Sequence, residues 1–260
     1  MLSTPIDRKA ATTAAALGLL ALGVLSLVHG DLLLQWQPAP KDATWRAPLA
    51  YLSGVILCLA GIGLFLPSWR RAAALLAAGW IGLWAVGLHL PLAIASKGHV
   101  GALLGVAESS AMAFGLGMLA LSPDARRYRR IPVAAFGVCA LVFGLSHVVY
   151  ADFTATMVPA WLPAHLQIAY LTGTVHALAG LCMLFGVAMP LAAWLEAMMM
   201  CAFVVLLHVP RVIAAPTDRL ELTMLAIAVT LTSAAWLVAA STRGGVRAAG
   251  PIGLPQHMTA

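Results

Sequence analysis

Charged residues are scarce in this chain. Asp, Glu, Lys and Arg together make up 9% of its 260 residues, whereas hydrophobic residues make up 62%. A water-soluble domain carries far more charge, typically about a quarter of its residues, so that class is excluded. The chain has instead long apolar stretches with few charges, which are typical of membrane-spanning helices.

Acidic residues and cysteines are also few. Nine Asp and Glu stand against 15 Lys and Arg, which gives a formal net charge of +6. This basic excess does not indicate nucleic-acid binding, because the basic residues lie in short connections and form no basic face. The four cysteines all lie in apolar stretches and none forms a C-x-x-C pair. That pattern argues against a thiol relay and against a structural zinc site.

The apolar stretches predict eight helices, each with about the 20 residues needed to cross a bilayer. They are Ala11–Leu34, Ala47–Leu66, Ala72–Ile94, Gly101–Leu121, Ile131–Phe153, Ala164–Gly186, Leu191–Ile213 and Leu222–Ala240. Ten Lys and Arg fall on one side of this arrangement and five on the other. The side richer in Lys and Arg is normally cytoplasmic. We therefore expect a multi-pass protein of the cell (inner) membrane with both termini in the cytoplasm.

The two halves of the chain repeat each other. Residues 50–61 (AYLSGVILCLAG) reappear at 169–180 (AYLTGTVHALAG), and residues 88–95 (LHLPLAIA) reappear at 207–214 (LHVPRVIA), both 119 positions later. A constant offset in two separate motifs indicates a tandem duplication. We expect an all-α fold of two tandem four-helix membrane bundles, since parallel repeats are common in membrane proteins. The bundles would span residues 1–125 and 126–241, and residues 242–260 would form a mobile cytoplasmic tail.

Four short motifs in the second half are characteristic of one family. They are Gly144-x-x-His147, Val158-Pro159-x-x-Leu162-Pro163, Leu171-Thr-Gly173 and Leu207-His-x-Pro-Arg-Val212. Through them, roughly residues 130–241 resemble the DoxX-like family of small four-helix membrane proteins. The chain departs from that family in its doubled length and in His176, where the family commonly has a glutamate. Members of that family are associated with quinone-linked oxidation of sulfur compounds as membrane subunits, so the resemblance implies a redox-associated membrane component. A redox partner subunit would then carry the electron-transfer centre, because the chain shows no motif for one.

Histidines inside the predicted helices are the main candidates for a site, because ionisable groups in a membrane are costly and usually functional. His147 and Tyr150 are three residues apart near one end of the fifth helix, and His208 lies near the same end of the seventh. His176 lies halfway along the sixth. Together with Trp161 as a lid, these residues would line a pocket for a quinone headgroup, since imidazole and phenol groups exchange protons.

Other interpretations remain open from the sequence. His29 and His89 mirror His147 and His208 in the first half, so one histidine pair in each half could hold a haem. The histidines could also bridge helices without any ligand, in a transporter or in a scaffold subunit. We predict no metal site, because no carboxylate is fixed beside the imidazoles.

Two acidic residues lie within the predicted helices. Glu108, in the fourth helix, has no acidic equivalent in the second half, so it is either a proton-accessible acid or a group with a local partner. Glu196 lies near the cytoplasmic end of the seventh helix, and we expect its side chain to reach water.

Overall fold

The computed structural model describes residues 5–121 and 126–242, and these residues are almost entirely helical. Nine helices occur within these ranges. They are α1 (Pro5–His29), α2 (Arg46–Phe65), α3 (Arg70–Ala95), α4 (Val100–Gly117), α5 (Arg126–Val149), α6 (Ala151–Met157), α7 (His165–Phe185), α8 (Met189–Ala214) and α9 (Arg219–Thr242).

Eight of these helices are long and apolar enough to cross a membrane, which confirms the predicted all-α, polytopic architecture. The exception is α6, a helix of seven residues that the sequence did not predict. It fills part of the connection between α5 and α7. The tail predicted for residues 242–260 lies, beyond Thr242, outside the described residues.

The duplication is visible in the local backbone of α3 and α8. Each contains a five-residue π-helical segment, Ala85–His89 in α3 and Val204–His208 in α8, at positions 119 residues apart. The Leu90 N–H donates to the Ala85 carbonyl, and the equivalent bond recurs in α8. Each segment ends at a histidine and is followed, two residues later, by a proline, which has no N–H to donate to an α-helical turn. Such π-bulges are frequent at functional sites.

Within each half, the helices pack in sequence order, and the fourth helix of each half also packs against helices of the other half. Within the halves, α1–α2–α3–α4 and α5–α7–α8–α9 pack in order. Between the halves, α1 packs against α9, α5 packs against α4, and α4 packs against α9. The fourth helix of each half is therefore central, and it contacts the first helix of the other half.

Glycines allow the closest helix crossings. At the crossing of α4 and α9, a Cβ on Gly115 would lie 2.4 Å from the Ala234 Cβ. These two residues are equivalent in the repeat, 119 positions apart, so an approximate twofold axis passes between them. At the crossing of α5 and α7, a Cβ on Gly144 would lie 2.7 Å from the Gly173 carbonyl oxygen. Small residues at such crossings are typical of membrane helix packing.

The two ends of the bundle differ in charge. The end where α1, α3 and α5 begin carries Arg8, Lys9, Arg70, Arg71 and Arg130 among the described side chains, and we call it the basic end. We call the opposite end the far end.

An ion pair network ties the halves together at the far end. Asp31 lies 2.7 Å from Arg46 Nη2 and 3.4 Å from Arg219 Nη1. Arg219, at the start of α9, also donates to the Leu32 carbonyl at 2.7 Å. Burial raises the pKa of Asp31, but hydrogen bonds from the Leu32 N–H, Arg46 and Arg219 outweigh it, so the pKa is lowered overall.

Candidate ligand pocket in the second half

A partly open cavity of about 160 Å³ lies between α4, α5, α7, α8 and α9. Most of its walls are apolar, and two methionines, Met200 and Met224, contribute to them. The polar side chains that line it are Glu108, Ser146, His147, His176, His208 and Thr232. The sequence predicted four histidine and tyrosine side chains in this pocket. Three of them, His147, His176 and His208, line the cavity, together with Glu108.

His147 has one ring nitrogen engaged and one available. Its Nδ1 lies 2.9 Å from the Phe143 carbonyl oxygen one turn earlier in α5. Because a carbonyl only accepts, Nδ1 carries the proton and donates, which leaves the Nε2 lone pair free to accept. The His147 ring lies 4.9 Å from the His176 ring and stacks on Phe203, with centroids 6.0 Å apart. Its orientation is thus fixed on both sides.

His176 forms a buried pair with Glu196. The His176 Nδ1 lies 2.8 Å from Glu196 Oε1, and the two side chains are 2% and 0% exposed. The expectation that Glu196 reaches water is wrong, because α7 packs against α8 and encloses the carboxylate. The second oxygen of Glu196, Oε2, has no hydrogen-bond partner within the described ranges. A carboxylate that accepts from one imidazole nitrogen fixes the tautomer and makes the other nitrogen a better proton acceptor.

The first half shows that the fold does not require this pair. The positions equivalent to His176 and Glu196 are Leu57 and Ala77, and both are fully buried. The same helix contact is therefore built from apolar side chains in one half and from a polar pair in the other. Because buried polar pairs seldom stabilise a protein more than well-packed apolar groups, the pair is explained better by function than by folding.

Glu108 enters the pocket from the first half of the chain. It lies midway along α4, which packs against α5 and α9. No side chain or backbone group of the described residues forms a hydrogen bond or ion pair with its carboxylate. Sequence reasoning singled out Glu108 but separated it from the histidines. Glu108 and the histidines meet because α4 packs against helices of the second half, and no local pattern in the sequence indicates that packing.

His208 contributes a buried nitrogen without a partner. It is the last residue of the π-helical segment in α8, and it lines the cavity. Its Nδ1 is shielded from the exterior, and nothing in the described part of the protein bonds to it. Leaving such an atom unsatisfied costs about 1–3 kcal/mol. A ligand in the cavity would remove that cost.

Tyr150 and Trp161 do not line the cavity. The helix α5 ends at Val149, and the backbone of Tyr150 departs from helical geometry, so the predicted shared face with His147 is lost. The Tyr150 hydroxyl instead accepts from the Gly101 N–H at 3.0 Å. Trp161 is 71% exposed, which is inconsistent with its expected role as a lid.

The equivalent position in the first half is closed. His89 Nε2 donates to the Trp36 carbonyl at 2.8 Å, and the Trp36 side chain is 1% exposed in the core. A Cβ on Gly105 would lie 2.3 Å from His89 Nδ1, so only glycine leaves room for this ring. His29 is exposed at the end of α1. The structure therefore does not bring His29 and His89 together in a second pocket.

Among the residues that the structure describes, no three His, Cys, Asp or Glu side chains are arranged to hold a metal ion. Comparison of the chain with known protein families, with curated proteins and with solved structures finds no match. The resemblance to the DoxX-like family therefore stays a prediction.

Proposed function

We propose that this protein is an integral membrane component of a quinone- or quinol-linked redox system, and that the pocket of the second half binds the quinone headgroup. One observation carries the proposal: an apolar cavity in a membrane protein presents polar atoms that have no partner among the described residues. These are the Nδ1 of His208, the Nε2 of His147 and the carboxylate of Glu108.

The dimensions of the cavity favour a small ring. A dry protein cavity of about 150 Å³ holds one benzene molecule, and this cavity measures about 160 Å³. A single quinone ring fits that space, and its isoprenoid chain would leave through the open side into lipid. A porphyrin is several times larger than one such ring, so the cavity favours a quinone over haem.

The polar groups match the chemistry of a quinol. Quinol oxidation releases two protons and two electrons. One hydroxyl of the quinol would donate to His147 Nε2. The second oxygen would form a hydrogen bond with His208 Nδ1, which lines the same cavity. Glu108 would receive a proton, and the Glu196 carboxylate would stabilise a protonated His176. The electrons would pass to a partner subunit with a redox centre, because the sequence shows no motif for such a centre in this chain.

Orientation follows from the charges of the connections. The basic end is the cytoplasmic side by the positive-inside rule, which places both termini in the cytoplasm of a cell-membrane protein. Glu108 and His176 are near the middle of their helices, and His147 and His208 lie closer to the far end. The pocket would therefore release protons toward the non-cytoplasmic side.

A symmetric transporter is less well supported. Duplicated transporters place their substrate site between repeats near the midplane. Here the midplane pair His176 and Glu196 has only Leu57 and Ala77 as its counterpart. The second half thus has a midplane polar pair that the first half lacks.

The test is to measure quinone bound to the purified protein. We expect extraction of the wild type to yield close to one quinone per chain. The variants H147A, H208A and E108Q should each bind quinone at least about fivefold more weakly, because losing one hydrogen-bond partner costs about 1–3 kcal/mol. The matched control is H29A, which removes a histidine at an exposed position near the end of α1 and should retain the wild-type amount.

Two further measurements make the outcome decisive. A reduced-minus-oxidised absorption spectrum of the same sample should show no haem bands. A wild type that retains no quinone, and whose melting temperature does not rise with added decylubiquinone, would contradict the proposal in favour of a scaffold or transporter.

A further inference from the structure

A second and larger cavity lies at the basic end. Its volume is about 750 Å³, and it is bordered by the first turns of α1 and α3 and by the last residues of α2 and the segment after α4. Four cationic side chains line it: Arg8, Lys9, Arg70 and Arg71. The hydroxyls of Thr12 and Thr13 and an apolar wall that includes Phe65 complete the lining.

The cations around this cavity have no acidic partner among the side chains that the structure describes. Within residues 8–121 and 128–242, none of the four forms an ion pair. In the same ranges, Arg8 donates to the Met118 carbonyl, at 3.5 Å, and Arg70 donates to the Leu64 carbonyl, at 3.2 Å. Arg8 is moreover repelled by the charges of Arg70 and Arg129.

The start of α3 adds to the positive potential. Helix N-termini carry a partial positive charge, and Arg70 and Arg71 lie in the first turn of α3. Cations in a first helical turn are therefore unfavourable for the helix itself. Their convergence around one space is instead favourable for an anion, which backbone N–H groups and helix dipoles attract.

The second half shows that the fold does not need these cations. The residues equivalent to Arg70 and Arg71 are Met189 and Pro190. Arg130 of the second half donates to the carbonyls of Met183 and Leu184 at the end of α7. Both halves thus have an arginine that is bonded to carbonyls at a helix end, whereas Arg70 and Arg71 of the first half have no cationic counterpart in the second.

We propose that this cavity binds a phosphate group, and that the phosphate belongs to the headgroup of an acidic phospholipid. Basic pockets between membrane helices are suited to such headgroups. The volume far exceeds that of inorganic phosphate, and it leaves room for glycerol. The apolar wall formed by Leu64, Phe65 and residues 119–121 would contact the acyl chains. This site is independent of the quinone pocket.

The experiment titrates the full-length protein in a neutral detergent with short-chain phosphatidylglycerol, with short-chain phosphatidylcholine and with inorganic phosphate, and follows the melting temperature. We expect phosphatidylglycerol to raise it at low concentration and the effect to weaken with added salt. The variant R70Q/R71Q should bind phosphatidylglycerol at least about tenfold more weakly, because each cation near an anionic headgroup contributes to binding.

Two matched variants complete the design. K41Q/K97Q also removes two positive charges, but from the far end, and should bind like the wild type. R70K/R71K keeps both charges and should restore most of the affinity. Inorganic phosphate could raise the melting temperature as much as the lipid does and lose that effect in R70Q/R71Q. That result would support a phosphate site but assign it to a soluble ligand. Equal binding by R70Q/R71Q and the wild type, or an equal loss in K41Q/K97Q, would overturn the proposal.

Discussion

His176 and Glu196 form a hydrogen bond at a level of the bundle where the first half has only Leu57 and Ala77. The duplication thus provides an internal comparison, in which the same helix contact is made with and without polar groups. Because an apolar pair can take the place of this buried polar pair in the fold, we attribute the pair to its effect on the side chains of the pocket. The benefit here is a fixed His176 tautomer beside the ring of His147.

The comparison gives a prediction for a double variant. H176L alone leaves a buried carboxylate without a partner, which typically costs about 3–5 kcal/mol. H176L/E196A rebuilds the pair of the first half, and we expect it to melt at a higher temperature than H176L and close to the wild type. Thermal unfolding in detergent, followed by circular dichroism, measures this.

Quinone binding should be lost in that variant although its stability is close to that of the wild type. Bound quinone should fall in H176L/E196A although the protein is folded. A double variant that melts below H176L would show that the pair stabilises the fold, against our interpretation.

Close packing of whole helices depends on a few glycines, and the crossing of α4 and α9 gives a prediction. We expect G115A to destabilise the protein by about 1–3 kcal/mol, the usual cost of overpacking. The added Cβ would lie 2.6 Å from the Ala234 Cα, so the backbone of α9 has to shift. Thermal unfolding measures the change.

Gly79 provides the matched control for G115A. It lies within α3, and no heavy atom lies within 4 Å of the Cβ that alanine would add. Because alanine favours a helix over glycine by about 1 kcal/mol, G79A should be neutral or slightly stabilising. Equal effects of G79A and G115A would show that helix propensity, and not the crossing, determines the result.

The sequence predicts the elements better than it predicts their partners. Hydropathy locates all eight spans because each one has to cover the bilayer by itself. The histidines at 147, 176 and 208 reach one cavity because they lie on helices of the same half. Glu108 could not be placed with them, since nothing in a linear sequence records that α4 packs against α5. Tyr150 was misplaced because the end of α5 is set by the loop that follows.

The molecule as a whole is joined at the far end by Asp31, which belongs to the first half and contacts Arg219 of the second. The lowered pKa of Asp31 means that its ionised form is more favourable in the folded than in the unfolded protein. Asp31 therefore contributes to the stability of the fold at pH values above its unfolded pKa of about 3.9. That contribution is lost as the pH falls through the lower pKa of the folded state.

We expect D31N to lower the melting temperature at pH 7, where Asp31 is ionised. The effect should be modest, about 1 kcal/mol or less, because the ion pairs are partly exposed. The difference between D31N and the wild type should shrink as the pH falls below about 4. D42N, at an exposed carboxylate without a partner among the described residues, should match the wild type at every pH. A difference that grew on acidification would contradict the assignment.

The packing of each fourth helix against the first helix of the other half has a consequence for how such a protein can arise. A four-helix unit by itself leaves its first and fourth helices without the neighbours that α1, α4, α5 and α9 find here. It would obtain them by pairing with an identical copy, and every substitution would then appear in both copies. Fusion into one polypeptide removes that restriction. Glu108 can then stand opposite Ile227, and equivalent positions are free to specialise, some in proton chemistry inside the bilayer and others in contact with its charged surface.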